Sequence, residues 1–365
     1  MSKPGNGLLH IGVLGLLSAG VSWHACRAAE LNLYGVGHLS FDGIDTGVSS
    51  SDYVHSNSSR LGIKGDQDLD HGLSIYVQYE SGVDLTVHGT GDGNGGANSA
   101  GQVFTRARDS FLGLKSDYGS IQFGRVGGMN QWLYDYNLFG DQVGDLGNVW
   151  GGDGLPGRID NAMEYISPTF NGLKVAVTYV PDEGGHNQHD EVVKADYALG
   201  GLKVGAGYAK FGAGTVGLPS LEAAAVTASY EAALFNVGGE YQHEKNVGGT
   251  PGADRDQFTF GAAVKLGQSA VVKAQYTRSG QLSGVTQSAA NMFAAGLDYN
   301  LGSSTTVYLA YAHVSNSANN AYSSFDYGHG DQGAPPILPG KSPAAYSIGL
   351  IYKFDVSLMK ALSRS

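Results

Sequence analysis

The fold of this chain is most clearly indicated by Phe258-Thr259-Phe260-Gly261-Ala262-Ala263-Val264-Lys265-Leu266. Every second residue is apolar, and most of the residues between them are small or polar, which is the two-residue period of a β-strand with one oily face. The same alternation runs through residues 31–41, 235–242 and 346–354. The sequence therefore predicts a protein built from strands rather than from helices.

About sixteen such segments follow residue 30, and the connections between them alternate in length. The segments begin near residues 30, 57, 72, 104, 119, 160, 172, 190, 202, 222, 233, 256, 270, 291, 304 and 344. Tight turns at 116–119, 200–201, 266–269 and 301–304 alternate with long polar stretches at 88–103, 128–158, 243–255 and 316–343. Short turns at one end and long loops at the other are typical of outer-membrane barrels.

The two faces of the predicted strands show which side meets water. The polar face carries many charges, among them Lys64, Glu80, Lys194, Asp196, Glu240, Lys265, Lys273 and Asp298. A packed core does not hold so many charges, but a water-filled interior does. Aromatic residues gather at segment ends, as an interfacial girdle requires. We predict an all-β fold, a 16-stranded antiparallel transmembrane β-barrel with an inward-folded third loop; the alternative is a large soluble all-β protein.

Composition and the first residues indicate an exported protein. Only 15% of the 365 residues are charged, 57 are glycine, and the net charge of −11 argues against a nucleic-acid partner. Residues 1–28 read as a secretory signal peptide: Lys3, an apolar run, then small residues before Glu30. Its removal takes Lys3, Arg27 and the lone Cys26, so the net charge becomes −13 without any cysteine. We assign residues 29–354 to the barrel domain.

Four ordered motifs resemble the trimeric general-diffusion porins of Gram-negative outer membranes. After a first-strand Leu33-Tyr34-Gly35, they are Ser59-Arg60-Leu61-Gly62-Ile63-Lys64-Gly65, residues 108–115, residues 118–125, and residues 158–165 with the following Ser167-Pro168. The resemblance covers most of residues 30–354. It implies a homotrimer in outer-membrane lipid, inserted by the outer-membrane assembly machinery, that lets small hydrophilic solutes and ions diffuse across. It implies no enzymatic activity.

The resemblance also implies a pore constriction with basic and acidic sides. The basic wall residues are Arg60, Lys64, Arg108, Arg125 and Arg158, and the third-loop acids are Asp135, Asp141 and Asp145. From the residues alone, alternation places Arg60 and Lys64 on one polar face, and places Arg108 with Ser110 on the face opposite Phe111. An arginine cluster at the narrowest point favours weak anion preference, because acids in distant loops are screened beyond a Debye length of about 8 Å.

Other functions remain open in the sequence. The third-loop aromatics Trp132, Tyr134, Tyr136 and Phe139 suggest a substrate-specific channel for a sugar or an aromatic acid, unless they only pack the loop against the wall. A hydrolase would need a converging nucleophile and base, and no nucleophile-elbow motif is present. Long loops also suit an adhesin or phage receptor. We expect no catalytic residue, cofactor or metal; the histidines at 186 and 189 have no strong ligand spacing.

Two features depart from the family pattern. Val36 stands where many relatives carry a basic residue after the first Tyr-Gly pair. Relatives typically end in phenylalanine, whereas here Phe354 is followed by an atypical tail, residues 355–365. This tail raises the question of how the chain presents its terminal signal to the assembly machinery.

Overall fold

The computed structural model describes residues 30–86, 107–151, 155–182, 189–213, 215, 217–330 and 335–358. The predicted signal peptide, the end of the predicted tail and the whole polar stretch at 88–103 lie outside these residues. β-Strands make up most of the described chain. In that part of the chain, no helix is both long and apolar enough to cross a membrane.

The strands and helices have the following bounds. The strands are β1 (Glu30–Asp45), β2 (Ser50–Ser56), β3 (Arg60–Asp68), β4 (Ser74–Gly82), β5 (Ala107–Ser116), β6 (Gly119–Gly127), β7 (Arg158–Ile166), β8 (Leu173–Val180), β9 (Asp190–Leu199), β10 (Leu202–Phe211), β11 (Leu221–Glu231), β12 (Phe235–Lys245), β13 (Arg255–Leu266), β14 (Ala270–Ser279), β15 (Ala290–Asn300), β16 (Thr305–Asn316) and β17 (Ala344–Ser357). Two one-turn helices, α1 (Asn130–Leu133) and α2 (Gly147–Trp150), lie between β6 and β7.

Each strand pairs antiparallel with its neighbours, and the sheet closes on itself. The closing pair is β1 with β17, whose register runs from Asn32↔Ser357 to Asp45↔Ala344. β2 and β3 lie end to end along β1, which pairs with β2 through Leu39–Asp45 and with β3 through Glu30–Val36. These two pieces form one interrupted strand, so the barrel has 16 strands, as predicted.

The observed strands begin within three residues of the predicted positions except at the second. There the structure starts β2 at Ser50, seven residues before the predicted position, and breaks it at residues 57–59. Ser58 has φ 47°, a left-handed conformation that a continuous strand does not contain. The seven residues of β2 include three serines and one aspartate, so the alternation between apolar and polar residues is weak there.

The faces of the barrel have the predicted polarity. In β13, Phe258, Phe260, Val264 and Leu266 are exposed on the outside, whereas Gln257 and Thr259 are buried on the inside. Apolar residues that face outward are stable in lipid, and polar residues that face inward meet the water of the lumen.

The last strand continues three residues past Phe354, into the segment assigned to the tail. Asp355 pairs with Tyr34 in the register of β1, and its Oδ2 lies 2.6 Å from the Nζ of Lys64. Both side chains are more than two-fifths exposed, and an ion pair so exposed contributes little stability. The first residues after Phe354 are therefore part of the wall.

Candidate functional site

The third loop, residues 128–157 between β6 and β7, crosses the lumen and docks on the opposite wall. The Trp132 indole N–H donates to Gln242 Oε1 of β12 at 2.6 Å, and the Tyr136 hydroxyl donates to the Gly261 carbonyl of β13 at 2.6 Å. On β14, the Gln275 side chain accepts a hydrogen bond from the Leu138 backbone N–H at 2.8 Å. Three consecutive strands thus hold the loop inside the barrel.

Glycines on the inner wall leave room for the aromatic residues of the loop. A Cβ atom on Gly207 would lie 2.9 Å from the Trp132 ring, and one on Gly238 would lie 2.6 Å from the Tyr136 ring. Larger residues at these positions would push the loop back into the lumen.

The four aromatic candidates differ in exposure. Trp132, Tyr136 and Phe139 are buried, and the ammonium of Lys273 lies 4.6 Å from the centre of the Phe139 ring. Tyr134 is 39% exposed and lines a cavity on each side of the loop. Three of the four side chains therefore anchor the loop, and Tyr134 alone of them offers a ring face to the lumen.

Three guanidinium groups line the cavity between the loop and the near wall. Arg108 Nε lies 2.6 Å from Glu80 Oε1, Arg158 Nε lies 2.6 Å from Asp109 Oδ1, and Arg60 Nη1 lies 3.3 Å from Asp141 Oδ2. We call these six residues the constriction cluster. Their cavity has a volume of about 490 Å³, and the Asp326 carboxyl also lines it.

Arg108 reaches this cluster by a route that alternation does not predict. Phe111 pairs with Gln78, faces inward and packs edge-on against Tyr76, whereas Ser110 pairs with the exposed Tyr79. The expected parity of Phe111 and Ser110 is thus reversed. A register shift opposite residues 79–81 then turns Arg108 inward towards Glu80.

Two predicted wall residues lie away from the cluster. Lys64 pairs with Asp355 near the chain termini. Arg125 lies two residues after the exposed Phe123 in β6, so the alternation places it on the same outward face. It forms an ion pair with Asp160, whose side chain is 69% exposed. The register between β6 and β7 shifts beside Arg125, which leaves Asp160 outside regular pairing. The structure therefore brings Arg60, Arg108 and Arg158 together, without Lys64 or Arg125.

The three third-loop acids have three different environments. Asp141 faces Arg60 in the constriction cluster. Asp135 lies on the other side of the loop, where its carboxylate is 2.6 Å from Lys194 Nζ and 3.2 Å from the Thr227 hydroxyl. Asp145 is fully buried and accepts hydrogen bonds from Asn137 and from the backbone N–H groups of Asp141 and Gly147. Asp145 thus shapes the loop rather than lining the pore.

Asp145 is expected to make the stability of the barrel depend on pH. Burial, with the charge of Asp141 nearby, raises the pKa of Asp145 to about 7. A carboxyl in an unfolded chain has a pKa near 3.9, so the folded loop retains a proton that the unfolded chain releases. This contribution is complete below pH 4 and disappears as the pH rises through 7; it amounts to up to about 4 kcal/mol, since each pKa unit is worth about 1.4.

The measurement is the thermal unfolding midpoint of the detergent-solubilised protein between pH 5 and pH 8. The midpoint should fall as the pH rises, and the Asp145→Asn variant, although less stable at every pH, should show a flatter profile. Equal slopes for the two proteins would contradict this role of Asp145.

A second loop enters the lumen, and no signal in the sequence indicated it. The loop between β16 and β17, residues 317–343, packs on the third loop through Tyr327, whose ring lies against Gly147 and Gly151. Gly144 N–H donates to the Ser324 carbonyl at 2.9 Å, and Tyr327 N–H donates to Asn148 Oδ1 at 2.8 Å. Such contacts between irregular segments leave no periodicity in the sequence. Glu80 and Asp109, the carboxylates that pair with Arg108 and Arg158, were likewise absent from the predicted site.

Comparisons with known proteins show the family to which the chain belongs. The sequence profile of the Gram-negative porin family matches residues 15–319. Chitoporin of Vibrio furnissii is 29% identical over 158 residues, which cover 42% of this chain and 41% of that protein. The major outer membrane protein P.IB of Neisseria gonorrhoeae is 31% identical over 165 residues, which cover 44% of this chain and 42% of that protein. The chain thus matches less than half the length of these curated relatives.

Solved porin structures share the fold at low sequence identity. An anion-selective porin from Comamonas acidovorans superposes with a TM-score of 0.75 at 21% sequence identity. The superposed region covers 90% of this chain and 100% of the Comamonas chain. OmpT of Vibrio cholerae, in a trimer form, has a TM-score of 0.67 at 18% identity with the same coverage. Together, the family match, the closed 16-stranded barrel and the polar lumen show that this chain belongs to the Gram-negative porin family of outer-membrane proteins.

Proposed function

We propose that the protein forms a water-filled outer-membrane channel for passive diffusion of small hydrophilic solutes and ions, with a weak preference for anions. The observation that carries the proposal is the constriction cluster: Arg60, Arg108 and Arg158 of the wall line a cavity inside a closed barrel, and the third-loop carboxylate of Asp141 lies across from Arg60. Opposed charges across water set a transverse field, which favours dipolar and hydrated solutes over apolar ones. Such transport needs neither a catalytic step nor a cofactor.

The charges that line the lumen support a weak preference. In the constriction cluster, three guanidinium groups face three carboxylates, and Asp326 adds a fourth carboxyl at the cavity. The cavity on the other side of the third loop, about 520 Å³, is lined by Lys174, Lys194 and Lys203 but by only two carboxylates.

Lys174 and Lys203 form no ion pair within the described residues, and both line this cavity. These two lysines and the permanently charged arginines favour anions. The near balance of charge keeps the preference small. The Comamonas acidovorans porin, described as anion-selective, supports the same sign.

We infer a homotrimer in outer-membrane lipid, placed there by the assembly machinery. The outward rows of Phe, Tyr, Leu and Val suit contact with lipid or with a neighbouring subunit. The OmpT structure, described as a trimer form, shares this barrel. β17 pairs with β1 as far as Ser357, so the closing seam includes the first three residues of the atypical tail.

General diffusion fits the third loop better than a substrate-specific channel does. A sugar or an aromatic acid is usually bound by several exposed rings, but Trp132, Tyr136 and Phe139 are packed against the wall. Tyr134 alone among these four presents a partly exposed face. The loop therefore provides a spacer, not a stacking platform.

Swelling of proteoliposomes in neutral sugars tests the diffusion proposal. We expect swelling rates that rise linearly with sugar concentration and fall steeply with sugar size. Tyr134→Ala should change these rates less than twofold, since a single ring gives no binding site. A rate that saturates with concentration, and that loses saturation in Tyr134→Ala, would contradict general diffusion and support a substrate-specific channel.

A further inference from the structure

A cluster of two imidazoles and one carboxylate lies where the β16–β17 loop meets the barrel wall. Asp42 of β1, His55 of β2 and His329 of the loop are each fully buried. Asp42 Oδ2 is 2.6 Å from His55 Nδ1 and 3.0 Å from His329 Nε2. The three atoms lie within 4.8 Å of one another, and the function proposed above does not use them.

The hydrogen bonds around His329 fix the role of each ring nitrogen. Its Nδ1 lies 3.2 Å from the carbonyl oxygen of Asp141, which can only accept, so Nδ1 carries a hydrogen. In the neutral ring, Nε2 then presents a lone pair to Asp42 Oδ2, which is also an acceptor. Two acceptors at 3.0 Å require a proton or a cation between them.

Asp42 and His55 complete the set of donor atoms, and Asp42 Oδ2 also accepts a hydrogen bond from the Ser40 hydroxyl at 2.8 Å. The ring of His55 is held by stacking on Tyr53 at 5.0 Å between centroids. His55 Nε2 and Asp42 Oδ1 are both buried and have no hydrogen-bond partner within the described residues. The site therefore contains a spare carboxylate oxygen, Asp42 Oδ1, and two imidazole nitrogens, His55 Nδ1 and His329 Nε2, that are both directed at Asp42 Oδ2.

We propose that Asp42, His55 and His329 bind one divalent transition-metal ion of the zinc class. Two imidazoles and a carboxylate are ligands that Zn²⁺, Ni²⁺ and Cu²⁺ accept, whereas Ca²⁺ and Mg²⁺ take oxygen ligands. A histidine ligand usually donates its other N–H to a carbonyl or carboxylate, and His329 donates to the Asp141 carbonyl. Asp42 Oδ1 is available as a further ligand.

The ion would fasten the β16–β17 loop to the wall beside the constriction. His329 also contacts Asp141, which faces Arg60, and Gly330 N–H donates to Asn57 Oδ1 at 2.9 Å. Ligands from β1, β2 and the loop would thus be cross-linked at one point. Because the ion binds only the folded arrangement, it should raise the unfolding temperature of the barrel.

The test is calorimetric titration of Zn²⁺ into chelator-treated, detergent-solubilised full-length protein. We expect one Zn²⁺ per chain, and at least tenfold weaker binding in His329→Gln and in His55→Gln. The matched control is His243→Gln, which removes an exposed histidine whose Nδ1 lies 2.8 Å from Asp256 and should leave the affinity unchanged. Each variant is first checked for the wild-type circular dichroism spectrum.

A second readout keeps the test independent of any one variant. Zn²⁺ should raise the thermal midpoint of the wild type and of His243→Gln, but not that of His329→Gln, which changes only a loop residue. No binding by folded wild type would overturn the proposal and leave the cluster as a proton-bridged triad. The proposal would also be overturned if His329→Gln bound Zn²⁺ as tightly as the wild type. It would likewise be overturned if His243→Gln lost as much Zn²⁺ affinity as His329→Gln. These measurements require no current through the channel, so their failure leaves the proposed diffusion function untouched.

Discussion

Replacing Arg60 and Arg108 together by glutamine is expected to turn the proposed weak anion preference into a preference for cations. The change removes two of the three guanidinium groups of the constriction cluster and leaves Glu80 and Asp141 without their cations. A unit charge about 5 Å from a passing ion is worth roughly 0.8 kcal/mol even in water, or about fourfold in the permeability of that ion. The effects on anions and cations have opposite signs, so the ratio of cation to anion permeability changes by more than the permeability of either ion alone.

The measurement is the reversal potential in a planar bilayer under a gradient of dilute salt, where screening is weakest. Arg125→Gln is the matched control: it is the same substitution in an arginine paired with Asp160 away from the cluster, and it should leave the reversal potential unchanged. If the double variant keeps the wild-type reversal potential, the cluster does not set selectivity. A shift in Arg125→Gln as large as that of the double variant would also show that the cluster is wrongly placed.

Trp132→Ala is expected to release the third loop from the far wall and to enlarge the channel. Trp132 is 1% exposed, and truncation of a buried tryptophan typically costs about 3–5 kcal/mol. The buried Oε1 of Gln242 would also lose the donor that now lies 2.6 Å away. The other anchors, at Tyr136 and Leu138, remain, so the barrel should still fold with its loop less firmly docked.

Single-channel recordings should show a higher mean conductance in Trp132→Ala, with frequent fluctuations between levels as the loop detaches and returns. Tyr134→Ala is the control, because it truncates a neighbouring aromatic residue that is 39% exposed. That variant should remain quiet, with a conductance close to that of the wild type. If Trp132→Ala keeps the wild-type conductance without fluctuations between levels, the loop does not limit the conductance of the pore.

The barrel could be predicted because its physical cause repeats along the chain. A strand with lipid on one side and water on the other must alternate residue by residue, so each strand carries its own signal. The signal failed at residues 50–56, where serines and an aspartate take most positions, and at Phe111, where it gave the wrong parity before a register shift. A register shift depends on the pairing of a strand with its neighbour, so it leaves no pattern in the sequence of either strand.

The site was only partly predictable for the same reason. Arg60, Arg108 and Arg158 follow from motifs, but their partners come from distant parts of the chain, and the β16–β17 loop enters the lumen without periodic pattern. Asp141 and Asp145 are both third-loop aspartates, and the sequence does not distinguish them. In the structure, Asp145 is buried in the loop, where its carboxylate accepts hydrogen bonds from three donors. His55 and His329 are 274 residues apart and meet only in the folded barrel.

Single-channel recording of the purified protein in a planar bilayer under a salt gradient tests whether the barrel conducts ions by passive diffusion. We expect stepwise currents in groups of three that rise without saturation as salt increases, with a reversal potential shifted slightly toward the equilibrium potential of the anion. Absence of channels from a sample with the circular dichroism spectrum of a folded barrel would contradict this expectation.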